Sequence, residues 1–347
     1  MRQLPSWRQA RHSTGSKLKI MKHIIIFAAI ILSFTSTVFA YPIRQRPLRQ
    51  LVIESQYIIV GYVIKTYDKE NNIKEENGKT VIRFGPKIAQ IAVLENLQGQ
   101  IKKDTIEIEF STGMICPEPD KYLDNTYVIS FLDKNKDKKF QTHALSYGAK
   151  TLKSEEIKIY KNLITEIQQI LKIKDENTQF DKTVEWLLKC AENPVTRWEG
   201  VAELSMHSGF WFQHFCDENA FLKKGITEDN YRNFLSKTQR NRYKKVLFTS
   251  NELPEFNAVD LVYKDNESEV DDFLLDKLKK IKEEHYWVAN EFMKRLKHKN
   301  DPCEMSDLLK KFNELQFDKN KRKELKEIIE KFISLVEKPA ANIGLLL

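Results

Sequence analysis

Apolar positions along the chain change period near residue 153. From Leu51 to about Leu152 they come in short bursts separated by polar turns. Tyr57-Ile58-Ile59-Val60-Gly61-Tyr62-Val63-Ile64 is one burst, rich in the β-branched and aromatic side chains that fit a pleated surface. Ile88 to Leu94 and Tyr127 to Leu132 are two more. Thr105-Ile106-Glu107-Ile108-Glu109-Phe110 alternates strictly, the pattern of a half-buried strand. Asn71-Asn72, Asn77-Gly78 and Leu97-Gln98-Gly99 read as turns. Lys139 to Ala144 completes a hairpin after the polar turn Asp133 to Lys138. Strands this short, with this punctuation, predict a small β-barrel or sandwich.

From Ser154 onward the period is helical. Ile157, Tyr160, Ile164, Ile167 and Leu171 recur at three- and four-residue steps behind Ser154, a plausible N-cap. Further helices are predicted over Phe180 to Ala191, Pro194 to Leu204, Phe210 to Leu222, Tyr231 to Phe248, Glu267 to His298, Leu308 to Leu315 and Leu325 to Val336. Interleaved Lys and Glu form solvated faces. Without a sharp repeat period, a degenerate solenoid and an irregular bundle both fit. The expected fold class is α+β, with a strand-rich first half and an all-α second half.

The N-terminal end carries a different signal. Lys22 and His23 precede the apolar run Ile24 to Leu32, and Val38-Phe39-Ala40 supplies a small-residue stop. That reads as an export signal cleaved after Ala40, with Met21 as the expected translation start. The run is shorter than the roughly 20 residues of a membrane-spanning helix, so no stable span is expected after cleavage. The working protein is therefore placed outside the cytoplasm, secreted or periplasmic. Its expected parts are the signal (1–40), a β domain (41–152) and a helical domain (153–347).

Cleavage also changes the charge. The full chain has 57 Lys and Arg against 49 Asp and Glu. Residues 1–40 hold six of the basic residues and none of the acidic ones, which leaves 51 against 49, a formal +2. A balance so near neutral argues against nucleic acid as a partner. Of the four cysteines, Cys116, Cys190, Cys216 and Cys303, the pair Cys190–Cys216 is the candidate disulfide in an oxidising compartment. Buried free thiols are the other reading.

The β half carries a resemblance. Ile58-Ile59-Val60-Gly61-Tyr62-Val63 resembles the opening strand of netrin-like domains, the OB-type barrels found in tissue inhibitors of metalloproteinases. The order then continues through Ala89 to Leu94, Leu97-Gln98-Gly99, Ile106 to Phe110, a loop ending in Cys116, Tyr127 to Phe131, and a hairpin to Phe140. It implies an OB-type β-barrel over roughly residues 50–150. In that family an N-terminal Cys and a nearby loop form an inhibitory ridge, and the terminal amine and carbonyl of that Cys chelate the protease zinc. The loop falls here at Thr112-Gly113-Met114-Ile115-Cys116, but the expected mature N-terminus is Tyr41-Pro42-Ile43, without a Cys. Trp186 to Glu192 together with Thr196-Arg197-Trp198-Glu199-Gly200 is similar to exported bacterial proteins of two-part build.

Reaction chemistry finds little support. Asp133-Lys134-Asn135-Lys136-Asp137 has calcium-loop spacing but Lys138 and Ala144 at the positions that need Gly and Glu, so it reads as a turn. His207 and His214 lack a third ligand at close spacing. His143, Ser146 and Tyr147 lack a Gly-x-Ser-x-Gly elbow and a nearby orienting Asp. No cofactor is expected. The expected function is that of an exported non-enzymatic binding or scaffold protein, whose partner is an extracytoplasmic protein or glycan. Its candidate contact loop is Thr112, Gly113, Met114, Ile115, Cys116 and Pro117, where two apolar side chains stand beside a rigid Cys-Pro step. The alternatives are a protease inhibitor of the metalloproteinase-inhibitor type, and an enzyme with a site between the two domains.

Overall fold

A computed structural model describes residues 44–338, apart from 70–72, 77–78, 83–85, 111–119, 207, 217–225, 250–255, 264–266 and 298–301. The expected export signal, Tyr41 to Ile43 and the loop Thr112 to Pro117 lie outside the described residues. The chain enters through a short helix, α1 (Leu48–Glu54), where the apolar bursts had suggested only strands. Leu48, Leu51 and Val52 at helical spacing put one face of α1 in the core.

Among the described residues eight strands follow: β1 (Tyr57–Asp68), β2 (Ile73–Glu76), β3 (Lys79–Ile82), β4 (Lys87–Gln98), β5 (Thr105–Phe110), β6 (Thr126–Lys134), β7 (Phe140–Thr142) and β8 (Ala149–Leu152). β1 pairs antiparallel with both β4 and β6, and β4 pairs antiparallel with β5. The ring closes where β5 meets β7 in a single parallel bridge, Ile108 to Phe140, and β7 pairs with β6. The closed order β1-β4-β5-β7-β6 is an OB-like five-strand barrel, as expected, with β8 added outside on β6. The β2–β3 hairpin occupies the predicted long turn between β1 and β4.

The barrel has two kinds of wall. Ile59, Val63, Val128 and Leu132 point into the barrel with Ala89, Ile91, Ile106, Ile108 and Phe110. Their strand neighbours Ile58, Val60, Ile129 and Phe131 point outward, yet they are buried too, in one core with the helices. Strands buried on both faces read as continuous apolar runs. β5 alternates because its outer side chains, Glu107 and Glu109, are not covered by helices. From Arg44 onward the described residues thus form one compact unit, in which barrel and helices share a core.

The helices are α2 (Ser154–Ile170), α3 (Glu176–Glu192), α4 (Arg197–Leu204), α5 (Gly209–Trp211), α6 (Lys237–Thr249), α7 (Phe256–Tyr263), α8 (Glu267–Lys279), α9 (Tyr286–Leu296), α10 (Pro302–Leu315) and α11 (Arg322–Glu337). The single helix expected over Glu267 to His298 is two, α8 and α9. Lys280 N–H donates to both Asp276 and Lys277 carbonyls and Ile281 N–H to Leu278, so the helix tightens and ends. α5 runs on as a π turn, Phe212–Cys216, rather than the long α-helix expected from Phe210. Among the described residues no helix is long and apolar enough to cross a membrane.

Candidate functional site

The β6–β7 turn is held by four hydrogen bonds around Asn135. Asn135 N–H donates to Lys139 O and Lys138 N–H to Asn135 O, each at 2.9 Å. The Asn135 side-chain oxygen accepts from Asp137 N–H at 2.9 Å and Lys139 N–H at 3.0 Å. Two backbone donors therefore occupy an oxygen that a calcium loop would turn to its ion, in keeping with the turn expected there. Among the described residues no group of His, Cys, Asp and Glu could hold a metal. Lys138 takes a left-handed conformation, φ 61°, at a position where such turns favour Gly.

Behind the turn, the hairpin is bolted to α1. His143 Nδ1 lies 2.6 Å from Asp133 Oδ2, and its Nε2 lies 3.0 Å from Glu54 Oε2. Arg46 Nε donates to the same Glu54 oxygen at 2.7 Å, and Gln56 N–H donates to Asp133 Oδ1 at 3.1 Å. Both ring nitrogens thus face carboxylates, and neither is left to activate Ser146. Tyr147 stacks on Trp198, with ring centroids 5.7 Å apart. Asp133 is thus an orienting partner for His143 that local spacing along the chain did not suggest. His143 N–H donates to Phe131 O, which continues the β6–β7 register and makes Asp133 and His143 diagonal neighbours across the hairpin. Ala144 and Leu145, both left-handed at φ 55° and 56°, turn the chain away immediately afterwards. A Cβ on Gly148 would lie 2.0 Å from His143 O, so only glycine fits there.

In front of the turn, where the helices leave the barrel uncovered, lies a groove of about 410 Å³. Lys103, Glu107, Glu109, Lys138, Lys139 and Phe140 line it, so it follows the seam between β5 and the β6–β7 turn. Tyr67 O–H donates to Glu107 at 2.7 Å and Lys69 pairs with Glu109 at 2.7 Å. The three groove lysines have no ion-pair partner among the described residues. A larger hollow of about 690 Å³ between α2, α3 and α6 is rimmed by satisfied ion pairs, Lys189–Glu166 and Arg242 with Glu185 and Glu192.

A second polar cluster is buried at the joint between barrel and helices, and it accounts for the Thr196-Arg197-Trp198-Glu199-Gly200 motif. Thr196 Oγ1 donates to Cys190 O at 3.0 Å. Glu199 accepts from Leu48 N–H at 2.7 Å and from Tyr160 O–H at 3.2 Å, and pairs with Lys150 of β8 at 2.8 Å. One turn on, Glu203 accepts from Arg49 Nε at 2.8 Å, and Arg49 Nη1 donates to Gln213 Oε1 at 2.8 Å. Burial raises the Glu203 carboxyl above its usual range, with Arg49 pulling it back down.

His214 sits in this core, its ring centroid 4.6 Å from that of Phe210 and 5.1 Å from that of Phe180. Burial, and then the Arg49 charge, lower it to about 4. Above the unfolded value of roughly 6.5 the neutral ring is present in both states, so the folded protein keeps its full stability there. Between about 6.5 and 4 the unfolded chain binds the extra proton, and stability falls as pH falls. Discounted for partial exposure, the loss is roughly 1–2 kcal/mol. Urea unfolding at pH 7 and pH 4.5 should show that much less acid sensitivity in His214→Phe than in the natural chain. Equal sensitivity would remove His214 from the account.

Cys190 is a fully buried free thiol, and the side chain of Cys216, the other half of the expected Cys190–Cys216 disulfide, lies outside the described residues. The Cys190 side chain packs into the helical core, and burial pushes its thiol well up, away from the reactive thiolate. His207 also lies outside the described residues. No protein-family model and no curated protein matches the chain.

Proposed function

We propose that this chain is an exported, non-enzymatic binding protein whose open barrel side, over β5 and the β6–β7 turn, is its contact surface. The observation that carries this is the asymmetry of the barrel. Helices cover the outer faces of β1 and β6, while the β5 side keeps a groove beside a turn held in fixed conformation. In OB-type barrels the corresponding strand face and loops take ligands, which adds fold-level support and no more. The apolar run Ile24 to Leu32 and the Ala40 stop support a place outside the cytoplasm. The contact loop expected at Thr112 to Pro117 follows β5 directly in the chain and lies outside the described residues.

The test is capture from the culture fluid and cell envelope with the mature protein and with a Lys103→Ala/Lys138→Ala/Lys139→Ala variant. A partner retained by the first and lost by the second is expected, with melting temperatures within about 2 °C of each other because exposed lysines contribute little to folding. Equal recovery of every partner with both proteins would sink the proposal. Zinc-protease inhibition is the second reading, favoured by the netrin-like order of the strands. Loss of activity in a panel of zinc proteases would move the chain into that class.

A further inference from the structure

We propose that the groove between β5 and the β6–β7 turn takes a uronic-acid-bearing oligosaccharide, a chain of hydroxyl-rich rings with spaced carboxylates. This rests on the reading of the open barrel side as the contact surface, and it names the chemistry of the partner. Three lysines line the groove from two separate segments: Lys103 ahead of β5, and Lys138 and Lys139 from the turn. None is neutralised by a carboxylate among the described residues, so an anion is the complementary ligand.

The geometry of the turn adds an independent argument. Glycine would adopt the left-handed conformation at position 138 freely, yet a lysine stands there, pinned by the Asn135 hydrogen bonds. A disfavoured conformation kept beside a groove is what a binding role for the side chain predicts. Glu107 and Glu109 share the groove, held by Tyr67 and Lys69, and leave acceptor oxygens for ligand hydroxyls. Gln90 and Thr105 add further hydrogen-bonding groups, and Ile88 and Phe140 offer apolar surface for the C–H faces of sugar rings. A polynucleotide fits less well. Its closely spaced phosphates would meet both glutamates, and among the lining residues Phe140 is the one ring on which a base could stack. The volume, about 410 Å³, falls within the roughly 300–1,000 Å³ of small-ligand sites.

The experiment is calorimetric titration of the mature protein at low salt with four probes of matched length: an oligogalacturonate, a neutral malto-oligosaccharide, an oligothymidylate and an oligoglutamate peptide. The galacturonate should bind best, and more weakly as salt is added. Lys138→Gly should lower its affinity by about tenfold, the scale of one charge-assisted contact. The same change should raise the melting temperature by about 2 °C, because the turn is relieved of strain. No galacturonate binding, equal binding of the neutral chain, tighter binding of the nucleotide or peptide, or unchanged affinity in Lys138→Gly would each overturn the proposal. If the groove-lysine variant still loses its natural partner in the capture experiment, the contact surface stands and only its glycan chemistry falls.

Discussion

Arg49→Met should destabilise the protein by about 3–5 kcal/mol, the cost of leaving a buried carboxylate without its counter-charge. Arg49 and Glu203 are 2 % and 0 % exposed, so water cannot take over from the lost guanidinium. Glu203 Oε2 has no hydrogen-bond partner among the described residues, so its charge already leans on Arg49. The effect should depend on pH. Without Arg49 the Glu203 carboxyl rises further above its unfolded value near 4.3, and the folded state then holds a proton that the unfolded state releases. Stability of the variant therefore falls as pH rises from about 4, and the deficit against the natural chain widens toward neutrality. The double variant Arg49→Met/Glu203→Leu should recover most of the loss, because an apolar pair of similar size removes the uncompensated charge. Urea unfolding at pH 4.5 and pH 7.5 reads both effects. A loss under 1 kcal/mol, or no recovery in the double variant, would show that the pair does not hold the joint together.

Gly200→Ala should cost roughly 2–3 kcal/mol, although alanine is the better helix former by about 1 kcal/mol. A Cβ at position 200 would lie 2.3 Å from Leu187 O, 2.5 Å from Ala191 N and 3.0 Å from Ala191 Cα. These are backbone atoms of α3 and cannot rotate away. The helix pair must part, and Glu199 and Glu203, on the same helix as the glycine, move with it. A fall in melting temperature of about 5–10 °C is expected by circular dichroism. A rise, as helix propensity alone would produce, would mean that the two helices have room to spare.

Much of this architecture was legible from the positions of apolar residues. The alternation of Thr105 to Phe110 marks a strand with one wet face, and the unbroken runs at Tyr57 and Tyr127 mark strands covered on both sides. Less was legible at the candidate site. Lys138 and Lys139 look like any solvated turn until the turn is seen to hold them beside Lys103. Cys190 and Cys216 invited a bridge because they flank one helical turn-back, and only burial shows that the Cys190 thiol is packed in the apolar core.

The sequence by itself determined the two periods, the change between them near residue 153, the turn at Asp133 to Lys138, and hence an α+β chain with a barrel ahead of helices. These are local properties, since a strand repeats every two residues and a helix every 3.6. Only the tertiary structure decided which charges meet. Leu48 and Glu199 are 151 positions apart in the chain, and Arg49 and Glu203 are 154. The closure of β5 on β7 and the clamp of His143 between Glu54 and Asp133 are of the same kind. Such contacts form only when closing long loops is offset by burial of a common core. No periodicity along the chain records which distant residues that core will bring together.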